Sequence, residues 1–103
     1  MAAYFIAQYV VNDPKLYREY QAAAGRTVQE CGGEVVAFDV AAETIEGTPP
    51  GPHTVILKFD SMEAARRCFE SPEYVAAAAH RRDGGGRNEL TIVEAGAGPS
   101  PRP

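Results

Sequence analysis

The chain is notable first for what it lacks. It has no excess of positive charge: 10 Lys and Arg stand against 14 Asp and Glu, for a net charge of −4. Phosphate binding needs clustered cations, so nucleic acid is excluded as a main partner. No apolar run approaches the ~20 residues a membrane span needs, so no membrane partner is expected. The opening stretch "MAAYFIAQYVVNDP" has no basic leader, and Gln8 interrupts its apolar run, so it does not read as a signal peptide. Only two cysteines occur, Cys31 and Cys68, without CxxC spacing, and each reads as a buried thiol. Neither His53 nor His80 has a metal-ligand partner at a sensible spacing, which leaves no zinc site. Gly-x-Ser-x-Gly, a Cys–His pairing and a nucleotide fingerprint are all missing. The "GGG" of Gly84 to Gly86 leaves a helix and enters a strand, the reverse of a phosphate loop. These absences point to a soluble, cytoplasmic chain with no cofactor.

What is present is an ordinary globular composition, 45% apolar and 23% charged over 103 residues, enough for one domain. "AYFIAQYVV", Ala3 to Val11, is rich in aromatic and β-branched residues and reads as a strand. Asp13 and Pro14 then cap and open a helix. Its apolar stripe is Leu16, Tyr20, Ala24, Thr27 or Val28, and Cys31. Gly32 and Gly33 end it. Glu34 to Phe38 is a second strand, with a bent continuation toward Ile45 as an option. Gly47 to Pro52, "GTPPGP", is a loop. "HTVILKF", His53 to Phe59, is the third strand. Ser61 caps a short helix, and Ser71 with Pro72 restarts another, which the glycines after Asp83 terminate. Glu89 to Glu94 is the last strand. Residues 1–95 thus form the domain, and 96–103 are expected to be a disordered tail.

The order strand–helix–strand–strand–helix–strand is the split βαβ, ferredoxin-like α+β arrangement, with helices on one face of an antiparallel sheet. Both faces of the first and third strands look suited to burial. Tyr4, Ile6 and Val10 point one way; Phe5, Ala7, Tyr9 and Val11 point the other. A bare second face would be a large apolar patch, so a homodimer packed sheet on sheet is expected.

Several stretches together resemble the DUF1330 family of small bacterial proteins, within the dimeric α+β barrel superfamily. They are "NDPKLYREY", "CGGEVVA", the "EG" before the proline loop, "VILKFDSMEAARRCFESPEY" and the closing "IVE". The resemblance implies the fold and a dimer more firmly than any activity. Related barrels include cofactor-free monooxygenases, isomerases and heme-binding enzymes, with small ligands held between sheet and helices or near the dimer seam. The chain departs from the family pattern at His80, where that pattern is apolar or otherwise non-ionisable. It departs again at Glu89, near which the pattern carries an arginine. Arg81 matches the pattern.

Candidate chemistry clusters in "SPEYVAAAAHRRD". Tyr74 and Arg81 fall on one helical face with Ala77 and Ala78 between them, and small residues there would leave space for an anionic or enolic molecule. Packing of Tyr74 on the sheet and helix-end placement of Arg81 is the alternative. His80 is the natural general acid or base, or else an exposed helix-end histidine. Tyr17 and Tyr20 are candidate pocket lining, as is Gln8, which interrupts an apolar strand face and needs a partner if buried. His53 reads as a surface residue. Two functions remain open. One is a homodimer binding an aromatic or polyketide-like small molecule, extending to cofactor-free acid/base catalysis by His80, Tyr74 and Arg81. The other is a non-catalytic ligand-binding or interaction module. Heme lacks an axial ligand unless His80 faces inward.

Overall fold

Asp13 starts the first helix as its residue type predicts. Its Oδ1 accepts from the main-chain N–H groups of Lys15 and Leu16 at 3.0 and 3.2 Å, satisfying donors that a helix start leaves unpaired. The same helix closes on Gly32 at φ +81°. The Gly33 N–H reaches the Val28 carbonyl at 2.8 Å and the Gly32 N–H that of Gln29 at 3.0 Å, the paired bonds of a left-handed C-terminal cap. Ser71 serves two helices at once. Its hydroxyl donates to the Cys68 carbonyl at 2.6 Å and accepts from the Tyr74 N–H at 3.2 Å, closing one helix and opening the next.

The computed structural model describes residues 1–96, and for 82–86 the backbone alone. The elements are β1 (Ala3–Val11), α1 (Pro14–Glu30), β2 (Glu34–Asp39), β3 (His53–Phe59), α2 (Met62–Glu70), α3 (Pro72–Gly84) and β4 (Gly85–Glu94). The strands form one sheet in the order β2-β3-β1-β4, every pair antiparallel. This is the α+β ferredoxin-like fold, with β1 and β3 central. The tail expected at 96–103 lies, from residue 97 onward, outside the described residues.

Four expectations change. β2 stops at Asp39, whose carboxylate accepts from the Ala41 N–H at 2.8 Å and turns the chain away before Ile45. β4 begins at Gly85 rather than Glu89, because Gly85 pairs with Val11 beyond an irregularity in the ladder. The buried stripe of α1 is Tyr17, Tyr20, Ala24 and Val28; Leu16 and Cys31 are only half-buried, since the helix turns Tyr17 toward Tyr9. The fourth concerns the sheet faces. Ala3, Phe5, Ala7 and Tyr9 are buried on the helix side, with Leu57 and Phe59 beside them. The other face is mixed. Ile6 sits opposite Ile56, and Tyr4 opposite Val93, but Gln8 lies between Thr54 and Glu89 in a polar row. The open face is therefore less apolar than β1 alone suggests.

Candidate functional site

A cavity of about 440 Å³ lies between α1 and the helix-side face of the sheet. Its origin is local. Ala7 on β1 and Ala24 with Gly25 on α1 put the smallest side chains where strand and helix face each other. α1 packs chiefly on α3, not on the strands beneath it. Phe5, Tyr9, Val55 and Leu57 form the floor, and Tyr17, Tyr20 and Val28 the roof. Phe69 and Tyr74 close one end, and Val35 and Phe38 of the edge strand line the mouth. The alanines of α3 do not make this space. Ala77 and Ala78 are buried and are not part of the wall, so the small face predicted to open a pocket instead lets α3 pack on α1.

The exposed Gln21 and Gln29 of α1 also line the cavity, and its buried polar groups are tyrosine hydroxyls in two pairs. Those of Tyr9 and Tyr17 share a hydrogen bond of 2.5 Å, and those of Tyr20 and Tyr74 one of 3.1 Å. Burial raises the pKa of Tyr9, and the bond to Tyr17 adds to it. Burial likewise raises Tyr17, against an opposing pull from its bond to Tyr9 and from Arg81. Tyr20 is raised by burial and then by Tyr74. These three phenols are neutral at physiological pH, so they can donate or accept a hydrogen bond but cannot act as resident phenolates.

The predicted site residues are distributed unevenly around this cavity. Tyr17, Tyr20 and Tyr74 line it. Arg81 is buried next to it, with its guanidinium carbon 5.5 Å from the centroid of the Tyr20 ring. His80 is elsewhere. Its Nδ1 lies 3.5 Å from Glu19 Oε2 on the outer surface between α3 and α1, both side chains 45% exposed. Gln8 is on the opposite side of the sheet, half-buried between Thr54 and Glu89.

His53 was expected at the surface and is instead half-buried, packed against the cavity-lining rings of Tyr9, Tyr17 and Phe38 without lining the cavity itself. It pairs with Tyr9 across the β1–β3 ladder. Its ring stacks on Tyr9 at 5.6 Å and 21°, meets Tyr17 edge-on at 5.1 Å, and touches Phe38 at 6.1 Å. Burial lowers its pKa, which keeps the imidazole neutral at pH 7. The alternation His53, Val55, Leu57, Phe59 already carries this signal, because it puts the histidine on the helix side of β3.

Other groups offer little chemistry. Cys68 is buried, and burial followed by its neighbour Cys31 pushes its thiol up to about 12, which leaves it an inert thiol. Among the described residues no group of His, Cys, Asp and Glu could hold a metal ion, and no helix is long and apolar enough to cross a membrane.

Solved structures of similar shape share the fold at low identity. RPA0582 from Rhodopseudomonas palustris, a protein of unknown function, is 18% identical with a TM-score of 0.72, covering 91% of this chain and 82% of its own. SnoaB from Streptomyces nogalater, a cofactor-independent oxygenase, is 17% identical with a TM-score of 0.67, covering 96% and 98%. A dimeric protein of unknown function and ferredoxin-like fold from Bacteroides fragilis is 13% identical with a TM-score of 0.61, covering 91% and 96%. No curated protein matches the chain. The family model for DUF1330, a domain of unknown function, matches residues 2–96. With nearly the whole sheet-and-helix unit inside that match, the chain belongs to the DUF1330 family.

Proposed function

We propose that the protein is a homodimer that binds a small, flat, aromatic or polyketide-like metabolite between α1 and the sheet. The observation that carries this reading is the cavity itself, about 440 Å³ with apolar walls and two hydroxyl pairs inside. Ligand sites are typically apolar clefts of about 300–1,000 Å³ with a few placed polar groups. Rings on the floor and roof favour a flat guest, and the hydroxyls can hydrogen-bond its oxygens. The dimer is supported by the half-buried row Tyr4, Ile6 and Val10 on the open face, and by the dimeric neighbour from Bacteroides fragilis.

Cofactor-independent acid/base catalysis is the second reading. A specific observation favours it: the neutral His53 ring packs on Tyr9 and Tyr17, so a proton acceptor stands beside neutral hydrogen-bond donors. The oxygenase SnoaB shares the fold. In this reading Tyr74 remains a donor through the wall it shares with Tyr20. The base in this reading is His53, which lies outside the lining and acts through its neighbours Tyr9 and Tyr17, because His80 faces Glu19 on the outer surface.

Titration with 2-naphthol tests the binding. The chain has no tryptophan, and four of its 5 tyrosines line the cavity, so tyrosine emission reports mainly on the site. Saturable quenching at one probe per chain is expected, together with its loss in a folded Ala24→Phe variant that fills the cavity. Binding that is absent from the wild type, or unaltered in that variant, overturns the reading. Sedimentation as a folded single chain at micromolar concentration overturns the dimer.

A further inference from the structure

Arg81 is a buried cation with no counter-charge among the described residues. It is 5% exposed, and its Nε and Nη1 have no hydrogen-bond partner among the described residues. The ion pairs among those residues join Glu63 to Arg67 and Glu19 to His80, and neither reaches it. A guanidinium cannot shed its charge at any ordinary pH. Its stacking over Tyr20 offers about 0.5–2 kcal/mol, against a desolvation penalty of several kcal/mol for an unpaired ion. Among the described residues nothing therefore compensates the positive charge that lies immediately behind the cavity wall.

We propose that the cavity selects an anion, with a negatively charged oxygen of the ligand held by the tyrosine hydroxyls and balanced by Arg81. This rests on the ligand-binding reading above and supplies its substrate class: a flat aromatic carrying a carboxylate or an enolate. Arg81 stands behind Tyr20 and acts through its field, so it is a positioning residue whose reach covers the tyrosine row. The lowering influence it exerts on Tyr9, Tyr17 and Tyr20 is the same field seen from the hydroxyls. The arrangement also accounts for a cation being tolerated here. Bound anion and guanidinium neutralise each other inside a site from which water is displaced.

Two probe pairs of matched shape provide the experiment, followed by calorimetry at fixed salt. One is 2-naphthoate against 2-naphthamide; the other is 2-hydroxy-1,4-naphthoquinone, an enolate at neutral pH, against its methyl ether. At least one anion should bind about tenfold or more tightly than its neutral partner, the size expected for charges several ångströms apart in a partly screened site. The preferred pair identifies the carboxylate or the enolate as the natural group. The preference should collapse to about twofold or less in Arg81→Gln. Anion and neutral probes binding equally to the wild type overturns the inference while leaving the ligand-binding reading intact; no binding by any probe overturns both. A second readout needs no ligand. Replacing an unpaired buried charge with an apolar side chain should leave the melting temperature of Arg81→Met unchanged or raised. A fall accompanied by loss of the dimer would show that Arg81 is paired across the subunits, and would overturn the inference.

Discussion

The hydroxyls of Tyr9 and Tyr17 lie 2.5 Å apart, one carried by the central strand β1 and the other by the first full turn of α1. This bond ties the roof of the cavity to its floor. Ala7 and Ala24 elsewhere leave the two layers apart.

The pair should therefore behave as a unit. Tyr9→Phe and Tyr17→Phe are each expected to lower stability by about 0.5–1.5 kcal/mol. The double variant should lose less than the sum of the two, because the first substitution already breaks the bond. Urea denaturation of the four proteins in the cycle measures this; strict additivity would show that the hydroxyls do not interact in solution.

Alkaline pH gives a second expectation. Tyr9, Tyr17 and Tyr20 have native pKa values raised by burial, above the ordinary 10.0 of an unfolded chain. A raised native pKa means that the unfolded chain ionises first. The contribution is fully present below pH 10 and is lost progressively as pH rises beyond it. Absorbance at the tyrosinate band should show these phenols titrating late, together with the loss of far-ultraviolet circular dichroism. Ionisation of all five tyrosines near their ordinary value in a folded protein would contradict the buried network.

His53 supplies the opposite arm. Its native pKa is lowered from 6.5 by burial, so below that value the unfolded chain binds the proton first. The stability contribution is present above about pH 6.5 and falls as the solution is acidified through the native value. Nuclear magnetic resonance titration of the ring should give a midpoint below 6.5, and His53→Phe should flatten the stability slope on that side.

His80 should matter little to the fold or to the cavity. An exposed pair such as His80–Glu19, at 3.5 Å, contributes at most about 1 kcal/mol. His80→Ala should leave 2-naphthol binding within about twofold of the wild type. A tenfold loss measured by the same fluorescence titration would return this histidine to the site.

Two glycines should respond in opposite directions. A methyl on Gly51 would overlap the Tyr9 carbonyl, so Gly51→Ala should destabilise by about 1–3 kcal/mol and disturb the cavity floor. A methyl on Gly25, inside α1, meets nothing within 4 Å. Gly25→Ala should stabilise by about 0.5–1 kcal/mol through helix propensity. Thermal melts of both variants, compared with the wild type, check the contrast in one experiment.

Much of the scaffold was legible in local chemistry. Asp13, Ser61 and Ser71 occupy helix starts because their side chains reach the free N–H groups of the next turn. That interaction spans three residues and needs no tertiary knowledge. The extra length of β4 was less visible. Gly85 to Asn88 carry no strand-forming side chain apart from the stem of Arg87, and only pairing with β1 extends them. His53 was misread for a related reason. A residue following a proline loop suggests the surface, yet its register opposite Tyr9 half-buries it against the rings of Tyr9 and Tyr17.

The sequence by itself determined the element order, the caps, the ferredoxin-like class and the family, because each depends on short-range pattern. Tertiary structure decided which side chains meet. Tyr20 and Tyr74 are 54 positions apart and share a hydrogen bond, whereas the adjacent pair His80 and Arg81 divide between a wet surface and a dry interior. Neighbours on a helix are about 100° apart in direction, and only the packing of α3 against α1 fixes which of those directions faces the cavity.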